Sequence, residues 1–444
     1  MRGMVAGIDL IAKRFGQYCI ARHVAIAIRF GKRHDVIFFT HFIRCGFMDP
    51  VSPLPAILCL LLAVATAFLL MRKFGAPPVQ GRFASIDGLR GYLAFFVFLH
   101  HASIWFFYLR TGKWVNPPSN LYSHFGLSSV LIFFMITGFL FFSKLIDGRT
   151  RSIDWGRLYI SRFLRLAPLY LFVMLLLFCV VAYLSGGILN EPIQKLLSNS
   201  AQWLGFTILG APNLNGIGGT LIIVAGVTWS LPYEWLFYFS LPLLALTVRV
   251  VAPLPYIAVA VAGVTGLVML DPQFHSLKQM SVPLLSFIGG IIVSFLVRSE
   301  LVRQFAARKT SSFIVIGCLA TAVTFYPIGF GLAPVILLFV AFAVIACGNT
   351  LFGILVSPTS RTLGEMAYSI YLIHGISLFI TFSLIVGQYK SREISSVTHW
   401  LMVAGITPVL IFVCFITFRF IESPAMRSST KLADWIRLRL TAHS

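Results

Sequence analysis

The sequence predicts an all-α, polytopic membrane protein, and three observations carry the prediction. The chain of 444 residues is 58% hydrophobic and 11% charged, where a soluble chain carries about 25% charged residues. Its apolar residues come in runs near the length of about 20 residues that an α-helix needs to cross a bilayer. Its 35 Lys and Arg outnumber 14 Asp and Glu, for a net charge of +21, and the basic residues gather between those runs. That placement is the pattern of loops on the cytoplasmic side of a membrane. It argues against nucleic-acid binding, because no basic stretch large enough to fold alone lies outside the apolar segments. Of 7 cysteines, Cys59, Cys179, Cys318, Cys347 and Cys414 lie in apolar runs, and no Cys-x-x-Cys pair occurs. Neither structural disulfides nor a metal site is expected.

Taken in order, residues 1–47 are basic (Arg2, Lys13, Arg14, Arg22, Arg29, Lys32, Arg33, Arg44) and contain no run of spanning length. A good span candidate follows at 55–70, within an extra N-terminal segment at 48–80, and Arg72 and Lys73 close it. Its basic end belongs inside, which would put residues 1–47 outside, against the positive-inside rule. One expectation is therefore that translation starts at Met48; the other is that residues 1–47 lie along the membrane as a basic amphipathic segment. Further spans are expected near 88–109, 124–143, 166–185, 229–248, 254–271, 282–298, 311–328, 332–348, 364–386 and 400–421. That makes about ten core helices plus one in front. The stretch 201–227 is apolar but broken by Pro212, Asn213, Asn215, Gly216, Gly218 and Gly219. It reads as a re-entrant or interfacial piece, or as part of an outer loop. The loops 144–165 and 298–310 and the tail 427–444 are rich in Arg and Lys, whereas 186–200, 272–281 and 387–399 are poor in them. This alternation places both ends of the core, 81–426, in the cytoplasm. No internal repeat is evident.

Chemistry concentrates first on the stretch from Ser85 to Ser103, which starts polar, turns apolar and then carries His100 and His101. An ionisable group at membrane depth is costly and points to function. Arg90 lies eleven residues before His101, roughly 16 Å along a helix axis, and eleven steps return to nearly the same face. His100 falls about 100° off that stripe, toward packing or orientation. An imidazole titrates near working pH, which suits a general base. Arg162 and Arg165 share one face at a span entrance, where they anchor the helix or meet anionic lipid, or hold phosphate oxygens with their forked guanidiniums. Arg149, Arg151 and Arg157 belong with the anchoring residues. Glu234, expected near the outer end of its span, is flanked by Trp229, Tyr233, Trp235 and Tyr238; an interfacial belt accounts for the aromatics but not for the carboxylate. Tyr371 and His374 are three apart and can face one cavity. Glu422 reads as a surface partner for a nearby arginine.

Four stretches together resemble the membrane-bound acyltransferase family 3 of bacteria. They are Ile86-Asp-Gly-Leu-Arg-Gly91 with the later His100-His101; Ser161-Arg-Phe-Leu-Arg-Leu-Ala-Pro-Leu-Tyr170; Thr228-Trp-Ser-Leu-Pro-Tyr-Glu-Trp-Leu-Phe-Tyr238; and Leu363-Gly-Glu-Met-Ala-Tyr-Ser-Ile-Tyr-Leu-Ile-His374. Phe420-Ile-Glu-Ser-Pro424 is a weaker fifth. The resemblance spans about residues 83–425; Pro232-Tyr233 departs from the family's usual residues there. It implies helices enclosing a tunnel in a bacterial inner membrane. It also implies transfer of an acyl group, most often acetyl, from cytoplasmic acyl-CoA to a hydroxyl of a glycan, glycolipid or related acceptor. The family's pattern of an arginine, ten residues and the essential histidine falls on Arg90 and His101. By the same resemblance Glu234 joins His101 as a catalytic candidate. Arg90, Arg162 and Arg165 become candidates for acyl-CoA, and Trp229, Ser369, Tyr371 and His374 for substrate binding. Acyl-CoA is a substrate here, and no permanently bound cofactor is implied. No Gly-x-Ser-x-Gly motif occurs, so direct transfer is simpler than a covalent acyl-enzyme. The competing expectation is a proton-coupled transporter with His101 and Glu234 as relay; inverted repeats would favour it.

Overall fold

A computed structural model describes residues 49–77 and 83–441. The basic extension 1–47, the choice between Met1 and Met48, and residues 442–444 lie outside them. Helix makes up 79% of the structure, with no strand among the described residues. The first helix, α1 (Pro53–Phe74), starts on Ser52, whose hydroxyl accepts from the Leu54 N–H, and stops at Gly75 with a positive φ. Proline at the first position and glycine just past the end is the sequence asymmetry helices favour. Then come α2 (Ala84–Thr111), α3 (Asn120–Asp147, capped by Ser119) and α4 (Trp155–Leu184, capped by Asp154). After them lie α5 (Ile193–Leu204), α6 (Leu231–Thr247), α7 (Leu254–Leu270), α8 (Leu277–Leu296), α9 (Glu300–Ala307) and α10 (Ser311–Phe325). The order closes with α11 (Leu332–Ala346), α12 (Pro358–Glu365), α13 (Ala367–Phe379), α14 (Ser396–Thr417) and α15 (Ser423–Thr441).

Seven helical stretches among the described residues are long and apolar enough to cross a membrane, and eight if α9 and α10, bent by 79°, form one span. The expectation of ten core helices plus one leans on α6, α7 and α11, which have 17, 17 and 15 residues. These are at or below the short end for a hydrocarbon core of about 30 Å. The span expected at 400–421 runs as α14 through a π-helical turn, Phe418–Glu422, straight into α15. The tail from 427 is thus helical through Thr441, and it packs on α4 through Arg437–Asp154 (2.6 Å) and Arg157–Thr430 (2.8 Å). Basic residues crowd the same end of the bundle: Arg298 from the close of α8 pairs with Asp147 at 2.6 Å, and Arg361 donates to the Pro77 carbonyl at 3.0 Å.

Helix α2 is the centre of the molecule. In its most apolar stretch 78% of the residues are buried, against 33% in α1, which lies at the periphery. Two glycines of its first motif explain how it is held. A methyl group on Gly88 would sit 1.9 Å from the Leu355 carbonyl oxygen, and one on Gly91 would sit 2.6 Å from the Leu363 carbonyl carbon. From the other side, a methyl on Gly364 would sit 1.8 Å from the Asp87 oxygen. The first and fourth motifs are therefore the two halves of one backbone-to-backbone crossing, where small residues let helices approach. Gly364→Ala is expected to cost at least the roughly 1–3 kcal/mol of an overpacked core. Thermal unfolding in detergent measures it, and an unchanged midpoint would contradict the crossing.

The broken stretch 201–227 is irregular beyond the end of α5 at Leu204. After α5 the chain turns repeatedly through positive φ at Phe206, Thr207, Asn215 and Ala225 and at Gly210, Gly216, Gly219 and Gly226. Asn side chains satisfy its amides: Asn215 accepts from the Asn190 N–H at 2.8 Å, and Asn213 from the Gly219 N–H at 3.1 Å. It then presses Val224 and Ala225 against Gly375 of α13, where a methyl would lie 2.4 Å from the Val224 carbonyl carbon. Irregular backbone of this kind persists only under protein cover.

Candidate functional site

The irregular stretch before α6 fixes where that helix begins, and so where Glu234 lies. Instead of marking an outer membrane edge, as its aromatic flanks suggest, Glu234 faces a cleft shared with Arg90 from α2 and Arg162 and Arg165 from α4. The expectation of an outer-end carboxylate is corrected by the path of 205–230, which returns into the bundle before the helix starts. The cleft is partly open, and the empty space in and just outside it comes to about 940 Å³. Its walls are Phe133 and Phe134 of α3, Leu166 of α4, Tyr238 of α6, and Tyr368 and Tyr371 of α13.

Charge in the lining of this cleft is unbalanced. Tyr238 donates its hydroxyl to Glu234. Arg162 donates to the Ser161 hydroxyl at 3.1 Å and lies 5.0 Å over the Phe141 ring; Arg165 donates to the Met426 sulfur at 3.1 Å. Among the described residues, none of Arg90, Arg162 and Arg165 forms an ion pair. Three guanidiniums and one carboxylate line the cleft, with Asp87 and Glu422 acting on Arg90 and Arg165 from outside the lining; forked donors match phosphate oxygens. Arg149, by contrast, donates to the Val248 carbonyl at 2.8 Å and lies outside the cleft.

Tyr371 joins this cleft to the histidines. Its hydroxyl donates to the Val227 carbonyl at 2.9 Å and lies 2.8 Å from the Ser230 hydroxyl, tying α13 to the start of α6. Its ring centroid is 6.3 Å from that of His374, which is 5.0 Å from that of His101. His374 Nε2 is 3.0 Å from His101 Nδ1. The cleft itself is lined as far as Tyr371 and does not include His101 or His374. His101 is half-buried as a residue, and its ring stacks on Trp114 at 6.2 Å and 15°. His100 is buried and serves packing: its Nδ1 meets the Tyr122 carbonyl at 2.7 Å, and its ring fills the space left by Gly126.

Two other candidates lie elsewhere. Ser369 is fully buried and donates to Glu422, with Thr417 at 3.0 Å, so it does not line the cleft. Glu422 is 1% exposed, which corrects its reading as a surface ion-pair partner; the π-helical turn rotates it inward, and one of its oxygens has no hydrogen-bond partner among the described residues. Trp229 is half-buried and packs edge-on against Phe134 and Tyr233 outside the cleft. Sequence reasoning missed Trp114. Its one signal is a lone aromatic in the polar turn Gly112-Lys-Trp-Val-Asn-Pro-Pro118, directly after the helix that carries His101.

A family model described as an acyltransferase domain matches residues 83–419. The chain belongs to this family of acyltransferases, and its apolar helices make it a membrane protein. No curated protein and no solved structure matches the chain.

Proposed function

We propose that the protein is an integral membrane O-acyltransferase that moves an acyl group, acetyl in the first instance, from cytoplasmic acyl-CoA to a hydroxyl of a glycan, glycolipid or related acceptor. The observation that carries this reading is a cleft with three guanidiniums and one carboxylate whose wall residue Tyr371 packs beside His374, which in turn meets His101. The phosphates of coenzyme A meet the guanidiniums at the basic end of the cleft. The roughly 16 Å of helix between Arg90 and His101 is within reach of an extended pantetheine arm. On this reading Glu234, held by Tyr238, keeps the guanidiniums apart and oriented, and the thioester passes the Tyr371 ring to meet His101. The face of His101 beside Trp114 receives the acceptor from the opposite end. On this reading the protein sits in a bacterial inner membrane with its basic end facing the cytoplasm, the orientation that positive-inside loops favour.

The test is transfer by the purified protein in detergent or nanodiscs. Labelled acetyl-CoA is supplied with lipid-linked and free glycans, and products are read by mass spectrometry. Acyl ester on a glycan hydroxyl supports the reading. Binding of coenzyme A with proton-driven transport of a solute, and no ester formed, replaces it with the transporter.

A further inference from the structure

The histidine pair carries more than proximity. A carbonyl oxygen only accepts hydrogen bonds, so any imidazole nitrogen facing one must carry the proton. His374 Nδ1 lies 2.8 Å from the Ile370 carbonyl, so its proton is on Nδ1 and its Nε2 is a bare acceptor. That Nε2 lies 3.0 Å from His101 Nδ1, which also faces the Val97 carbonyl at 3.0 Å. Both neighbours accept, so both require the His101 proton on Nδ1. His101 Nε2 is then left with its lone pair, with no partner among the described residues. His374 itself is fully buried on α13, with Gly375 locked against Val224, so its ring has little room to turn away.

We infer that His374 is a positioning residue that, together with the Val97 carbonyl, holds the His101 proton on Nδ1 and thereby leaves Nε2 as the basic nitrogen; this rests on the acyl-transfer reading above. The tautomer of a histidine is set by the bond its other nitrogen makes. In the reaction, the acceptor O–H gives its proton to His101 Nε2 as its oxygen bonds to the thioester carbonyl carbon. The C–S bond breaks, and the proton on Nε2 passes to the departing sulfur. While Nε2 is protonated, the charged ring keeps Nδ1–H directed at His374 Nε2 and the Val97 oxygen. A neutral partner there stabilises the cation without competing for the proton.

Two measurements on the full-length protein test this. The first is carbethoxylation of His101 by diethyl pyrocarbonate, whose carbonyl carbon is attacked by an unprotonated ring nitrogen, followed residue by residue by mass spectrometry. The second is steady-state transfer. His374→Phe removes the acceptor; His374→Asn keeps a polar group but is too short to reach His101; His374→Gln can present an amide oxygen to His101 Nδ1–H. For Phe and Asn, His101 labelling is expected to slow roughly tenfold and kcat to fall about 10- to 100-fold with KM unchanged, by analogy with the loss of the outer hydrogen-bond partner of a metal-binding histidine. The Gln variant is expected to stay within a few-fold of the natural protein in both. Phe or Asn variants that fold and behave as the natural protein would overturn the assignment, as would a Gln variant as damaged as Phe. If labelling shows the expected order while no variant and no natural protein transfers acyl groups, the tautomer assignment stands and the acyl-transfer reading falls.

Discussion

Replacing His101 with alanine is expected to lower acyl transfer by about two to four orders of magnitude, the usual contribution of a general base. The loss should appear in kcat, with KM for acyl-CoA nearly unchanged, because the ring lies beyond Tyr371 and outside the cleft that holds the arginines. Stability should fall less than for the neighbouring ring, the main loss being the partner of the buried His374 Nε2. His100→Ala should do the reverse. That ring is buried against Gly126 and bonded to the Tyr122 carbonyl, so its removal leaves a void and loses that bond. The cost should be of the order of 1–3 kcal/mol in stability. Paired measurements of transfer rate and thermal midpoint separate the two neighbours. A His101→Ala variant retaining a tenth or more of the natural kcat would remove this ring from the chemistry.

The arginines predict the second large effect. Arg162→Ala or Arg165→Ala is expected to raise KM for acyl-CoA by about 10- to 150-fold, the equivalent of losing one charged hydrogen bond of roughly 1.5–3 kcal/mol. Changes in kcat should be small, because phosphate contacts made equally in ground and transition states cancel in the chemical step. Lysine at either position keeps the charge and loses the fork, so it should fall between. Coenzyme A binding measured by calorimetry reports the same loss without turnover. Unchanged KM and unchanged binding in both alanine variants would turn these residues back into membrane anchors.

His101 was legible because an ionisable ring inside an apolar run has few bland explanations, and its spacing from Arg90 repeats a helix face. Arg162 and Arg165 were legible because three residues along a helix bring side chains to one side. Two features needed three dimensions. The contact between His101 and His374 joins positions 273 apart in the chain, and nothing local to either announces the other. The depth of Glu234 depends on how 205–230 turns back into the bundle, through positive φ at several residues that are not glycine. Aromatic neighbours give a membrane edge and a buried cleft the same local signature, so the carboxylate was expected at the wrong height. Glu422 was misread for a related reason. A π-helical turn adds a residue to the helical repeat and rotates the side chains beyond it, which a count at 3.6 residues per turn does not anticipate. The glycines of the first and fourth motifs were visible, but their mutual contact was not.

The imbalance of charge in the cleft lining has a kinetic corollary on the proposed reading. Arginines that grip phosphates hold the spent carrier as firmly as the loaded one, because the two differ only at the far sulfur. Free coenzyme A should therefore compete with its own thioester at nearly equal strength. Flux through the enzyme would then track the ratio of charged to uncharged carrier in the cell more closely than the amount of either, making envelope modification answer to metabolic state without a dedicated regulatory site.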